Sequence, residues 1–297
     1  MRPGDTVAVV SPSGPPNAVL LRRGVERLEG LGLKVLVGAH ALDRQPLDYL
    51  AGSDAARAAD LQSAWCDPGV SGVFCCRGGY GAGRLLDLLD WNAMRMAGPK
   101  VLLGSSDITA LHNAFAIELG VPTLHGPMPA CDLLADEKRP EPRTWESLQA
   151  ALFGAPQPVQ GDRVLVPGRA EGVLAGGNLS LLASMCGTRW QPSFAGRIAF
   201  LEDIGEEPYR IDRMLTQLLQ AGVFDGVLGI ALGSWVDCGD PYAVLEDRLG
   251  RLGVPVLAGL PVGHGSPQMS VWLGRLGVID TESCSLAGIV SDEGQAR

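Results

Sequence analysis

Histidine is scarce in this chain, four in 297 residues, and aromatic and charged side chains are sparse as well, at 5% and 19%. So few histidines make any search for an imidazole base short. A zinc site of ordinary spacing lacks its pattern, because none of the seven cysteines stands in a Cys-x-x-Cys pair. Those cysteines (Cys66, Cys75, Cys76, Cys131, Cys186, Cys238 and Cys284) are odd in number and sit mostly in apolar or loop contexts. They read as free thiols of a reducing compartment. Basic residues are in deficit too, 24 Lys and Arg against 33 Asp and Glu, and the net charge of −9 argues against a nucleic-acid partner or an anionic membrane surface. No apolar run reaches bilayer length, and the start, Met1-Arg-Pro-Gly-Asp5, leads into a strand without the architecture of a secretory signal. The expectation is a cytoplasmic protein with no metal and no cofactor.

What the chain has in quantity is glycine, 40 residues, within a 46% hydrophobic composition, the balance of a packed α/β protein with many tight turns. Thr6–Val10, Lys34–Val37, Val70–Cys75 and Lys100–Leu103 read as short strands. Between them, Ala18–Leu31, Asp54–Trp65 and a stretch through Leu85, Leu86 and Leu89 read as helices. Strands alternating with helices predict a Rossmann-like parallel sheet over 1–135, with the loops at the strands' carboxyl ends forming the active face. The texture changes at Asp136-Glu-Lys-Arg-Pro-Glu-Pro-Arg143, and 136–168 reads as an interdomain connection with one short helix around Trp145–Leu152. Beyond it, 169–297 reads as a smaller β/α domain. It has strand ends at Gly172–Ser180 and Arg197–Asp203, helices at Ile211–Leu219 and Asp240–Leu252, and core strands at Gly226–Leu232 and Val254–Leu257. The fold class is α/β in two domains, with an active site expected where they meet.

The stretch Lys100-Val-Leu-Leu-Gly-Ser-Ser-Asp-Ile-Thr-Ala-Leu-His112 carries the chemistry. An apolar strand breaks at Gly104 into small polar residues, and helical spacing resumes through Ile108, Leu111 and Phe115. A serine between strand and helix resembles a nucleophile elbow, whose tight turn lifts the hydroxyl clear while the amides at the helix start face a developing oxyanion. Ser and Asp are also favoured N-caps, so Ser105, Ser106 and Asp107 could serve only the helix. Ile108 stands where the hydrolase pattern Gly-x-Ser-x-Gly has its second glycine, which argues against an ordinary α/β-hydrolase.

A serine nucleophile needs a base and an acid that orients it. His264 sits in the glycine-rich loop Gly259-Leu-Pro-Val-Gly-His-Gly265 after an apolar strand, and is the candidate base. His112 falls on a different face of the helix and reads as a packing residue. His125, at another strand end, could line the same cleft, and His40 reads as a turn residue. For the acid, Arg197-Ile-Ala-Phe-Leu-Glu-Asp203 ends an apolar strand in two carboxylates that must point to opposite sides, of which Glu202 is the candidate and Asp203 a cap or turn residue.

Taken together and in order, Val9-Val-Ser-Pro-Ser-Gly14, Arg77-Gly-Gly-Tyr-Gly81, Gly104-Ser-Ser-Asp-Ile-Thr109, His125-Gly-Pro-Met128, Gly176-Gly-Asn-Leu-Ser180, Leu201-Glu-Asp203, Tyr209-Arg-Ile-Asp-Arg213 and Gly263-His264 resemble the serine LD-carboxypeptidase family. That family comprises the muramoyl-tetrapeptide carboxypeptidases and a microcin C self-immunity branch, and the resemblance spans nearly the whole chain. It implies a Ser–Glu–His triad carried by Ser106, Glu202 and His264. It also implies an oxyanion hole from the amides of Asp107 and of Gly79, with Gly78 the near alternative. The implied reaction is release of terminal D-alanine from a murein tetrapeptide by a homodimer. The terminal carboxylate calls for a planar fork, which Arg77, Arg84 or Arg210 could supply, and Tyr80 and Asn178 are further candidates for touching substrate. The chain departs from the family's pattern at Ser105, where an aromatic residue often precedes the nucleophile, and after the histidine, where Gln268 and Trp272-Leu-Gly274 stand in place of an Asn and a later Pro-x-Gly. Two other readings stand beside this one, a microcin C-type peptidase cleaving aminoacyl-nucleotide amides and a non-catalytic α/β ligand-binding protein.

Overall fold

Short, almost wholly apolar strands build the first sheet of the computed structural model, which describes residues 1–289. β1 (Thr6–Val10), β2 (Lys34–Val37), β3 (Gly72–Cys75), β4 (Val101–Gly104) and β5 (Thr123–His125) run in the order β5-β4-β3-β1-β2, each neighbouring pair parallel. Val7–Val10 and all of β3 are buried without alternation, as a sheet covered on both faces requires. Only β2, at the edge, leaves Leu36 and Val37 exposed. The covering helices are α1 (Ala18–Gly30), α2 (Asp54–Cys66), α3 (Trp91–Met96), α4 (Thr109–Glu118), α5 (Asp132–Ala135) and α6 (Pro142–Phe153). Asn17 caps α1 by accepting from the Val19 and Leu20 amides, and Ser53 caps α2 through the Ala56 amide. The register pairs Val10 with Cys75, Phe74 with Leu103 and Gly104 with His125. Hence β1, β3, β4 and β5 end level, and their following loops share one edge, where α/β sheets place their ligands.

The second sheet is mixed. Its strands are β6 (Val159–Gln160), β7 (Arg163–Val166), β8 (Arg169–Asn178), β9 (Arg197–Ile204), β10 (Gly229–Val236), β11 (Val256–Ala258), β13 (Leu276–Asp280) and β14 (Ser285–Gly288); the short β12 (Val271–Leu273), which precedes β13 in the chain, is not one of them. They lie in the order β6-β14-β13-β8-β9-β10-β11-β7. The middle four are parallel and the flanking strands antiparallel. Helices α7 (Leu179–Ser184), α8 (Pro208–Gln220) and α9 (Tyr242–Leu249) accompany the parallel strands. Pro208 starts α8 at a position that has no use for an amide hydrogen, and Ile211, Leu215 and Leu218 bury one stripe in a core shared with Ala199, Leu201, Ile230 and Leu232. No helix among the described residues is long and apolar enough to cross a membrane.

Three expectations from the sequence are corrected. The stretch through Leu85, Leu86 and Leu89 is the end of a 3-10 turn (Ala82–Leu85) with further turns after it and not an α-helix, and the Asp90 carboxylate, accepting from the Asn92 and Ala93 amides, starts a fresh helix beyond it. The proline-rich 136–168 segment is not a connection. α6 buries Thr144, Leu148, Ala151 and Leu152 within the first unit, whereas Val159–Val166 supplies two strands to the second. The chain therefore divides at Phe153/Gly154, and Ser266–Ser270 returns to the first unit before Val271 resumes the second.

Gly24 in α1 tests how tightly the first unit packs. A methyl there would lie 1.9 Å from the Pro129 carbonyl oxygen, which belongs to the backbone and cannot swing aside. Gly24→Ala gains about 1 kcal/mol of helix propensity but overpacks at a cost of up to about 3 kcal/mol. The expected net effect is a lower urea midpoint; a midpoint equal to or above that of the parent chain would contradict the packing.

Candidate active site

β4 ends at Gly104, Ser105 is fully extended, and Ser106 turns into the left-handed region at φ 61° before a single 3-10 turn leads into α4. For a residue with a Cβ this backbone costs about 1–2 kcal/mol, so the surroundings must hold it. They do so from three sides. His112 of α4 is buried, and burial pushes its pKa down to about 4. The neutral ring therefore donates from Nε2 to the Gly104 carbonyl at 3.0 Å and accepts at Nδ1 from the Thr123 hydroxyl at 2.8 Å. Asp107 is buried, and its Oδ2 accepts from the Ser13 hydroxyl at 2.5 Å and from the Ala82 amide at 2.8 Å. Burial raises the Asp107 pKa, and these two hydrogen bonds oppose the rise. Ser105 Oγ accepts from Gln268 Nε2 at 3.2 Å, which ties the residue before Ser106 to the Ser266–Ser270 segment.

The loop Arg77-Gly-Gly-Tyr-Gly81 runs against the serine. A Cβ on Gly78 would lie 2.7 Å from Ser106 Cβ, 3.0 Å from its hydroxyl oxygen and 3.4 Å from the Asp107 amide nitrogen, so only glycine fits. Gly79 follows at φ 110°, a conformation side chains rarely adopt. The Gly78 carbonyl accepts from the Gly14 amide at 3.1 Å. The Asp107 amide and the Ser106 hydroxyl thus face the Gly78 backbone with no side chain between them, a place suited to a carbonyl oxygen that gains charge.

In the second unit, Glu202 Oε2 lies 2.6 Å from His264 Nδ1. Glu202 is fully buried, while the imidazole keeps 19% of its surface exposed. Burial lowers the His264 pKa, but the bond to Glu202, its charge and that of Asp203 outweigh this, and the ring titrates above its ordinary value. Because Nδ1 faces the carboxylate, Nε2 is the nitrogen left to take a proton. The loop is held close: Ser234 Oγ accepts from the Gly265 amide at 3.0 Å and donates to the Val262 carbonyl at 3.2 Å. A Cβ on Gly263 would lie 2.5 Å from Glu202 Oε2. Asp203 serves the opposite face of β9. It accepts from Asn178 Nδ2 and from the Ser180 amide at the start of α7, and burial together with the Glu202 charge pushes its pKa up to about 6.

The other candidates have diverse fates. Asn178 is buried and caps α7, its Oδ1 accepting from Ser180 Oγ and the Leu181 amide, so its side chain is committed to the fold. Arg84 pairs with Asp54 at 2.7 Å and Arg210 with Glu206 at 2.5 Å, whereas Arg77 has no carboxylate partner among the described residues and reaches only the Pro15 carbonyl at 3.4 Å. Tyr80 is exposed and meets Tyr49 edge to face. His125 is buried at the end of β5, and His40 pairs with Asp43 at 2.8 Å. Sequence reasoning missed Ser13, Arg57 and Ser234. Arg57 is fully buried on α2, bonded to the Pro12 and Gly81 carbonyls and to Asp54. In Asp54-Ala-Ala-Arg-Ala-Ala-Asp60 it looks like a solvent-facing helix charge, and nothing local marks it otherwise.

Removing the Glu202 charge while keeping its shape isolates the cause of the His264 shift. In Glu202→Gln the His264 pKa, followed by NMR of the ring protons, is expected to fall below that of the parent protein, since the Glu202 charge is gone and burial is then opposed by the charge of Asp203 alone. An unchanged titration would disprove the pairing.

The geometry has counterparts among known proteins. Residues 7–126 match the LD-carboxypeptidase N-terminal domain and residues 171–279 the LD-carboxypeptidase C-terminal domain. A Streptomyces coelicolor protein assigned provisionally as a carboxypeptidase is 52% identical over 297 residues, covering 96% of this chain and 94% of its own. The murein tetrapeptide carboxypeptidase of Pseudomonas aeruginosa is 34% identical over 291 residues, covering 92% of each chain. The structure of MccF in complex with glutamyl sulfamoyl guanosine superposes with a TM-score of 0.87 at 25% identity, over 98% of this chain and 97% of that one. With both domain models matched in order and a relative of this similarity along nearly its whole length, the chain belongs to the LD-carboxypeptidase family.

Proposed function

We propose that this protein is a serine peptidase that releases the terminal D-amino acid from a murein tetrapeptide, with Ser106, Glu202 and His264 as its triad. The observation that carries the reading is the pair of half-sites in one chain of this family. One is a serine in left-handed backbone at a strand–helix turn, and the other a buried Glu202 bonded to His264 at 2.6 Å. Ser106 Oγ attacks the scissile carbonyl as His264 Nε2 takes its proton, and Glu202 holds the ring's tautomer and stabilises the imidazolium. The Asp107 and Gly79 amides receive the oxyanion, each worth about 3 kcal/mol in comparable sites. His264 then protonates the leaving amine, and water enters by the same steps to free Ser106. Arg77 is assigned to the substrate's terminal carboxylate: of the three candidate arginines it is the one without an acidic partner among the described residues, and it adjoins Gly78 and Gly79.

Ser106→Ala is expected to abolish D-alanine release from murein tetrapeptide, a loss of at least about a thousandfold, while substrate still binds; residual turnover near that of the parent enzyme would remove Ser106 from the mechanism. Arg77→Ala is expected to raise KM more than it lowers kcat, and an unchanged KM would return the carboxylate to another anchor. Running glutamyl sulfamoyl guanosine beside the tetrapeptide separates the two branches: faster cleavage of the nucleotide analogue would assign the chain to the chemistry of the microcin branch.

A further inference from the structure

We infer that the carboxylate of Asp107 is a positioning residue for the oxyanion hole, clamping two loops onto the turn that carries Ser106. The inference rests on Ser106 being the nucleophile. An Asp at the start of a helix ordinarily accepts from the first amides of its own helix. Asp107 instead spends one oxygen on residues far away in sequence, Ser13 at 2.5 Å in the loop after β1 and the Ala82 amide at 2.8 Å beyond the glycine loop after β3.

Both bonds lead to the Gly78–Gly79 backbone. Ala82 lies three residues past Gly79, on the far side of the turn at Gly81. Ser13 precedes Gly14, whose amide donates to the Gly78 carbonyl at 3.1 Å. Arg57 closes the arrangement from outside, bonded to the carbonyls of Pro12 and Gly81, the residues adjoining Ser13 and Ala82. The Asp107 backbone supplies one amide to the oxyanion, and its side chain fixes the loop that supplies the other. A hole of two donors works only if their spacing is set before the reaction, because reorganisation during it would consume the stabilisation. Burying a carboxylate is costly, and a structural cap on the surface would not require it. Burial removes the water that would otherwise compete for both loops.

The test measures kcat and KM for D-alanine release from murein tetrapeptide, per folded molecule as judged by circular dichroism, in four variants. Asp107→Ala is expected to lower kcat by about 100-fold while KM moves by less than about threefold, since the oxyanion contact exists only in the transition state. Ser13→Ala, which removes one of the two bonds, is expected to lower kcat by about fivefold. Asp107→Asn keeps an oxygen able to accept both bonds and is expected to recover most of the loss. Should Asp107→Ala fail to fold, the Asn and Ser13 variants decide the matter. Unchanged kcat in Ser13→Ala, a change confined to KM, or a loss in Asp107→Asn equal to that in Asp107→Ala would each overturn the inference. Ser106→Ala, the fourth variant, separates the levels: if it is active the nucleophile reading fails, and if it is inactive while Asp107 and Ser13 variants turn over normally, only the clamp fails.

Discussion

A serine held in left-handed backbone is the constraint on which the first unit's arrangement depends. Ser106 at φ 61° is not a conformation that residue would choose, and it survives because everything next to it is over-determined. The carbonyl just before the turn is fixed by a neutral, buried histidine, the residue just after it is bonded to two other loops, and the space beside its side chain is kept open by a glycine. The loops that hold the turn follow β1, β3 and β4, while the histidine comes from α4. That is possible because the register brings the ends of β1, β3, β4 and β5 level.

In the second unit the fixed point is an ion pair with opposed duties. A histidine whose folded pKa is raised contributes its stability in full below the unfolded value of about 6.5. That contribution is lost as pH rises through the higher folded value, whereas His264 can accept a proton only where it is neutral. Stability and chemistry therefore favour opposite sides of the same titration. Both follow from the fully buried Glu202, because the charge that holds the ring in place is also the one that raises its pKa.

Much of this was legible from sequence where the signal is local. Strand–turn–helix texture placed Ser106, the alternation of a strand separated Glu202 from Asp203, and a glycine-flanked loop marked His264. The rest was hidden for physical reasons. Asn178 looked available because a cap's partners lie across the sheet, in Asp203 and the start of α7. Arg57 and Ser13 act through bonds between distant loops, which no spacing reveals. The helix expected at Leu85–Leu89 failed because three leucines at helical spacing also suit a turn packed on a core, and the helix begins only after Asp90. The supposed connection failed because charge and proline describe the exposed face of 136–168 and not the leucines that α6 buries.

Glu202 and Asp203 are neighbours on β9, one bonded to the imidazole and the other to the start of α7. An insertion or deletion of one residue ahead of them would exchange their faces. The shorter carboxylate would turn toward His264, the longer toward a helix end it cannot cap in the same way, and the apolar positions of β9 would exchange faces with them. A change in the strand's count therefore disturbs both faces at once, where a substitution disturbs one, and length can vary without that cost only in the loops on either side of Arg197–Ile204.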